Sequence, residues 1–228
     1  MNKLKLLANL PIYVDKIPIY SPLLKNLAEV TLEQYGLLLT YSTITVESLI
    51  ESTRYDVKSN FDALISVLNA TEGVMNLFLT GLFFFTKIEF LPEILDDDLI
   101  FIYEDIVLNR NNYDSFVYNV KFVNRMETEN AEELDEFDRR VLEQEKKIND
   151  AYNRNTEQPN FSDLISAVAN FDGNGLNIIN IWDLNIYQFY EQLQRGQMKE
   201  QYRWNLQQLL AGAKPDDINL ESYLKNIK

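Results

Sequence analysis

The stretch WDLNIYQFYEQLQR at 182–195, with WNLQQLLAGAK at 204–214 behind it, decides how the chain is read. Asn185 and Gln188 stand three residues apart at its start, the spacing at which each side chain accepts a hydrogen bond from the other's backbone N–H. Behind that cap Ile186, Phe189, Tyr190 and Leu193 recur at i, i+3, i+4 and i+7, which is one face of a helix and not one side of a strand. Gly212, after Leu209 and Leu210, offers the left-handed residue that ends a helix, and Pro215 prevents its resumption. Upstream, Asn160 is placed to cap a second helix with an apolar face of Phe161, Leu164, Ile165 and Val168. Residues 160–228 are therefore expected to form a helical unit: two amphipathic helices joined by a short apolar connector carrying Trp182, and a short helix through Leu220, Tyr223 and Leu224.

Immediately before this unit the pattern changes. Residues 127–159 concentrate negative charge on a thin apolar stripe of Leu134, Phe137, Val141, Leu142 and Ile148, with i,i+4 pairs such as Asp135 with Arg139 and Glu143 with Lys147. This reads as a charged helix followed by a linker at Asn153 to Pro159. A solvated face accounts for the charge; the functional reading is an acidic docking helix for a basic partner, with Glu132, Glu133, Asp135 and Glu136 as its candidate contacts.

The first 126 residues are expected to be an α+β domain. Ile12 to Val14 and Ile17 to Tyr20 are β-prone runs around Asp15-Lys16, a small hairpin in which Pro18 must lie at an edge. Ser21-Pro22 has the cap-then-proline order that opens a helix, with Leu23, Leu24 and Leu27 on its apolar side. Thr31 with Gln34 reads as a capping box before Tyr35, Leu38 and Leu39. A further helix is expected over Asp62 to Asn69, and Val74 to Phe85 is apolar enough for a buried core helix but too short for a bilayer, which needs about 20 residues. Lys87 to Leu91, Leu99 to Tyr103 and Ile106 to Leu108 favour extended structure, with Glu104-Asp105 as a hairpin turn. Asn112 then caps a helix with Tyr113, Phe116, Val117, Val120 and Val123 on one face. The fold class is mainly α with a minor β component (α+β), a multi-helix globular fold with one or two small β-hairpins.

Composition narrows the chemistry. The chain has 228 residues, 46% of them hydrophobic, enough for a packed core. Thirty-five acidic residues face 21 basic ones, a formal charge of −14 that opposes binding to nucleic acid or to an anionic membrane. There is no cysteine and no histidine. Thiol nucleophiles, thiolate metal sites, the commonest zinc ligand and the usual general base near neutral pH are thereby missing. Carboxylate-only chemistry is the remaining route to catalysis, and an enzyme is not expected. No cofactor, catalytic or metal site is expected either. Asp96-Asp97-Asp98 and Asp172-Gly173-Asn174-Gly175 lack the alternating ligands and trailing Glu of a calcium loop and read as turns. Met1 to Leu10 lacks the apolar core of a targeting signal.

The aromatic residues of the C-terminal unit have two readings. Trp182, Tyr187, Phe189, Tyr190, Tyr202 and Trp204 fill the core between helices, or else some of them anchor a partner, since aromatics with polar tips are favoured at interfaces. Trp182, Tyr187, Tyr190 and Trp204 are the candidates for the second role.

In layout over most of the chain, and in motif at FSDLISAVANF and WDLNIYQFYEQLQR, the sequence resembles bacteriophage tail-morphogenesis proteins of the tail assembly chaperone type. IYVDKIPIYSPLLKNLAEV and LIFIYEDIVLNRNNYDSFVYNV correspond to the extended segment and the strand pair with helix of that family; the longer apolar stretch at Val74 to Phe85 departs from it. The resemblance implies a non-enzymatic factor that binds the phage tape-measure protein, or another tail protein, in the cytoplasm of the infected host. Two further readings are a structural virion protein (a tail, connector or baseplate subunit) and a phage-encoded acidic inhibitor of a host protein. A second copy of the chain is a further expected partner; nucleic acid and membrane are not.

Overall fold

The computed structural model describes residues 2–50, 54, 57–95, 98–126 and 160–214. The charged segment with Glu132, Glu133, Asp135 and Glu136, and the tail beyond Lys214, lie outside the described residues. The described residues form an α+β fold that is mainly helical, with two small antiparallel sheets. The chain divides into two compact units, Met1–Glu127 with Trp182–Glu191, and Thr128–Ile181 with Gln192–Lys228. Trp182–Glu191, read from sequence as part of the C-terminal unit, thus belong to the first.

In the first unit, α1 (Asn2–Leu7) leads into a hairpin of β1 (Ile12–Val14) and β2 (Ile17–Ile19). The expected alternation is present: Ile12, Val14, Ile17 and Ile19 all face the core. Pro18 pairs with Tyr13 in a sheet of only two strands, where both are edges and a missing N–H is tolerated. Asp15 opens the turn in the left-handed region at φ 51°.

Helices α2 (Leu24–Val30) and α3 (Leu32–Ser42) follow. Thr31 Oγ1 accepts the Gln34 N–H at 3.3 Å, so the Thr31 half of the anticipated capping box forms at the start of α3. The start of α2 differs from expectation. Ser21 does not cap it; its buried hydroxyl donates to Val123 O at 2.8 Å and accepts the Tyr187 N–H at 3.0 Å. A buried hydroxyl takes whichever backbone partners reach it, and two distant segments reach Ser21 before the helix does.

Helix α4 (Asn60–Ala70) is capped by Ser59, which accepts the Asp62 N–H at 3.1 Å. Helix α5 (Val74–Thr86) is the anticipated core helix: Phe78, Leu82 and Phe85 are fully buried. It packs on α3 at very close range, since a Cβ built on Gly81 would lie 2.1 Å from Ser42 Oγ and 3.1 Å from Leu38 O. Lys87, at φ 62°, ends α5 by donating its N–H to Phe83 O, so the extended run expected from Lys87 does not begin there. The three-stranded sheet instead comprises β3 (Leu91–Leu95), β4 (Asp98–Tyr103) and β5 (Ile106–Leu108), in that order. Phe78 of α5 meets Phe101 of β4 with ring centroids 4.8 Å apart.

Helix α6 (Tyr113–Val123) buries all five residues of its expected face. Its first residue is not capped by the Asn112 side chain. That amide donates to Val107 O at 2.8 Å and to Asp15 Oδ2 at 3.0 Å, fastening the end of β5 and the β1–β2 turn to the start of the helix.

The second unit contains α7 (Phe161–Ala169) and most of α8 (Ile186–Leu210), whose first turns belong to the first unit. Asn160 and Asp163 form a reciprocal cap at 3.0 Å in each direction. Gly173 and Gly175 adopt positive φ in the turn after α7. The ring of Phe171 lies where a Cβ on Gly196 of α8 would be, 2.1 Å from the nearest ring atom.

Candidate functional site

The start of α8 is a junction inside the first unit. Asn185 N–H bonds Gln188 Oε1 at 2.9 Å and Gln188 N–H bonds Asn185 Oδ1 at 2.7 Å, the reciprocal cap read from sequence. The remaining capacity of the Asn185 amide is used on Leu6 O and Asn9 Oδ1, both at 3.0 Å. Backbone bonds from Leu24 to Leu184 O and from Ile186 to Pro22 O, 2.9 and 2.8 Å, attach the same segment to the start of α2.

Tyr187 follows this cap and is 1% exposed, packed near Phe122 and under the Arg125 guanidinium, 4.7 Å from the ring centroid. Burial raises its hydroxyl pKa. Glu191, one turn on, is buried with Arg125 Nη2 at 3.0 Å and Lys3 Nζ at 3.3 Å. A carboxylate removed from water holds its charge only when so paired. Of the candidate aromatic contacts, the structure therefore puts Tyr187 in the core, leaves Trp182 and Tyr190 half-buried, and exposes Trp204. The first three belong to the first unit and Trp204 to the second.

Trp204 lies on a different kind of surface. From Gln197 to Leu210 no residue of α8 is buried. Trp204 is 58% exposed and Leu210 81%, with Leu206 also outside. A shallow hollow of about 600 Å³ runs along this helix, lined by Gln197, Glu200, Gln201, Arg203, Trp204 and Gln207. Its walls offer amide, carboxylate and guanidinium groups around one indole.

A second exposed apolar element was not legible in the sequence. Every residue of β3 is exposed, including Leu91, Ile94 and Leu95. Ile94 forms the lip of a cleft of about 420 Å³ with Ile65 and Leu99, beside Arg110, whose guanidinium reaches Asp62 at 2.6 Å and Asp98 at 3.2 Å. The hydrogen bond from Arg110 holds the Asp62 carboxyl below its ordinary pKa.

Among the described residues no three carboxylates converge in a way that could hold a metal ion, and no helix is long and apolar enough to cross a membrane. No curated protein and no solved structure matches the chain. Residues 152–228, which include all of α7 and α8, match the family model of the YomV second domain, and this similarity associates the C-terminal part of the chain with a phage-derived family.

Proposed function

We propose that the protein is a non-enzymatic phage assembly factor of the tail assembly chaperone type, which binds the tape-measure protein and keeps its long helical chain soluble until tail-tube subunits polymerise around it. The observation that carries this reading is the unburied second half of α8, with Trp204, Leu206 and Leu210 outside, within the region similar to the YomV second domain. Such a helix can lie along an apolar helical stripe of a partner. The charge of −14 keeps the resulting complexes apart in solution.

The test is co-expression with the tape-measure protein of the same genome. The expected result is a soluble, co-purifying tape-measure chain, lost when Trp204→Ala and Leu210→Ala are combined. These substitutions are preferable to truncation at Asn160, which would also remove Trp182–Glu191 from the first unit. A tape-measure chain that stays insoluble beside abundant, folded protein would refute the reading. Recovery of the protein from purified particles would make it a virion subunit instead.

A further inference from the structure

Strand β3 adds nothing to the core and keeps one edge open. Its five residues are all exposed, β4 is its only strand neighbour among the described residues, and Ile94 is 78% accessible. Folded proteins blunt such edges, most often with Lys; β3, β4 and β5 contain no Lys or Arg, and their charged residues are Glu93 and Asp98. Proline cannot donate to a ladder, so Pro92 occupies a position whose nitrogen faces away from β4. By the two-residue alternation Ile94 does too, which leaves the Ile94 N–H and the carbonyls of Pro92 and Ile94 on the free edge.

The two faces of β3 differ. Leu91, Glu93 and Leu95 share one, opposite Ile102, Ile100 and Asp98 of β4. Ile94, opposite Leu99, shares the other with the cleft beside α4. We propose that the open edge of β3 receives an extended segment of a basic protein partner as a fourth strand. Main-chain bonds form at Ile94, apolar side chains lie against Leu91 and Leu95, a Lys or Arg lies beside Glu93, and an apolar side chain on the opposite face enters the cleft. A second copy of this chain is a poorer occupant. The antiparallel register that sets Leu91 against Leu95 of another copy also opposes the two Glu93 carboxylates, and like charges directly opposite are destabilising.

The surface lies in the first unit and does not involve Trp204, so its test is separate from that of the chaperone reading. Full-length protein is titrated with two blocked peptides, acetyl-Thr-Val-Val-Lys-Val-Val-Thr-amide and its counterpart with Glu for Lys, while exchange of the Ile94 amide is followed by NMR. The lysine peptide should bind roughly tenfold more tightly than the glutamate peptide, given the size of cross-strand charge pairs, and should slow Ile94 exchange. Glu93→Lys should reverse the preference, and Ile94→Lys should weaken both peptides in a protein of unchanged fold. The proposal is overturned by equal affinity, by no binding, or by binding that leaves the Ile94 amide unprotected. It is also overturned if the peptide-free protein sediments as a dimer that Ile94→Lys dissociates.

Discussion

Helix α5 and the second half of α8 are both helical stretches with large apolar side chains, and the structure treats them in opposite ways. In α5, Phe78, Leu82 and Phe85 have no solvent contact, and a glycine lets α3 approach until a methyl group would not fit. Beyond Gln197, no residue of α8 is fully buried. Isolated helical turns are marginal in water, and tertiary packing supplies most of the stability of protein helices. The contrast separates residues that hold the fold from residues left at the surface, and substitutions should show which is which.

The largest effect is expected at Phe78. Phe78→Ala removes a fully buried ring that meets Phe101 and should cost about 3–5 kcal/mol in denaturant unfolding. Trp204→Ala, the same type of truncation on α8, should stay within about 0.5 kcal/mol. If the two losses proved similar, the division between core and contact surface would be wrong.

Gly81→Ala sharpens the same comparison at the α3–α5 crossing. The added methyl would meet Ser42 Oγ at 2.1 Å, and overpacking of this kind typically costs about 1–3 kcal/mol. Ser42 Oγ is buried without a hydrogen-bond partner, so Ser42→Ala should be tolerated and should restore part of the loss in the double variant. The two changes are in contact and should be non-additive in a thermal or denaturant cycle. Strict additivity would show that the crossing relaxes elsewhere.

At the junction between these regimes, Asn185→Ala deletes one half of the α8 cap and the bonds to Leu6 O and Asn9 Oδ1. A loss of about 1–2 kcal/mol is expected from the cap and the buried carbonyl together, with faster amide exchange in both α1 and the first turn of α8. Exchange confined to α8 would separate the two elements.

The smallest effect concerns acid. Asp62 has its pKa lowered by Arg110, so its pairing contributes stability that is fully present above the unfolded carboxyl value, near pH 4. That contribution is lost as pH falls through the depressed folded value. The pair is partly solvated, and well under about 1 kcal/mol is expected. Arg110→Gln should flatten this part of the pH–stability profile while leaving Trp204-dependent binding unaltered.

Much of the helical framework was legible because its signals are local. Thr31, Asn160 and Asn185 act on backbone three residues ahead: each caps its helix, and Asn185 with Gln188 closes the reciprocal pair that the spacing requires. The short hairpin at Ile12–Ile19 was equally readable, since alternation over a few residues selects one buried face. Strand β3 was not. LPEIL has neither clean alternation nor a helical period, and its preference was read into the residues before it, where the left-handed Lys87 ends α5. Of the candidate site residues, Trp204 is exposed, while Tyr187, on the same helix, is buried. Periodicity says which residues share a helix face but not what arrives to cover it.

The amino-acid sequence by itself determined the α+β class, the caps of α3, α7 and α8, and the acidic character of the chain. Each of these depends on neighbours within a turn or on composition alone. Only the tertiary structure decided that Ser21 joins α6 to the start of α8, that Asn112 fastens a strand and a turn, and that Trp182–Glu191 belong to the first unit. It likewise decided that the five residues of β3 are exposed. The physical reason is the same throughout: a buried polar group or an apolar face is satisfied by whatever segment reaches it, and the segments that reach these are on the order of a hundred residues away in the chain.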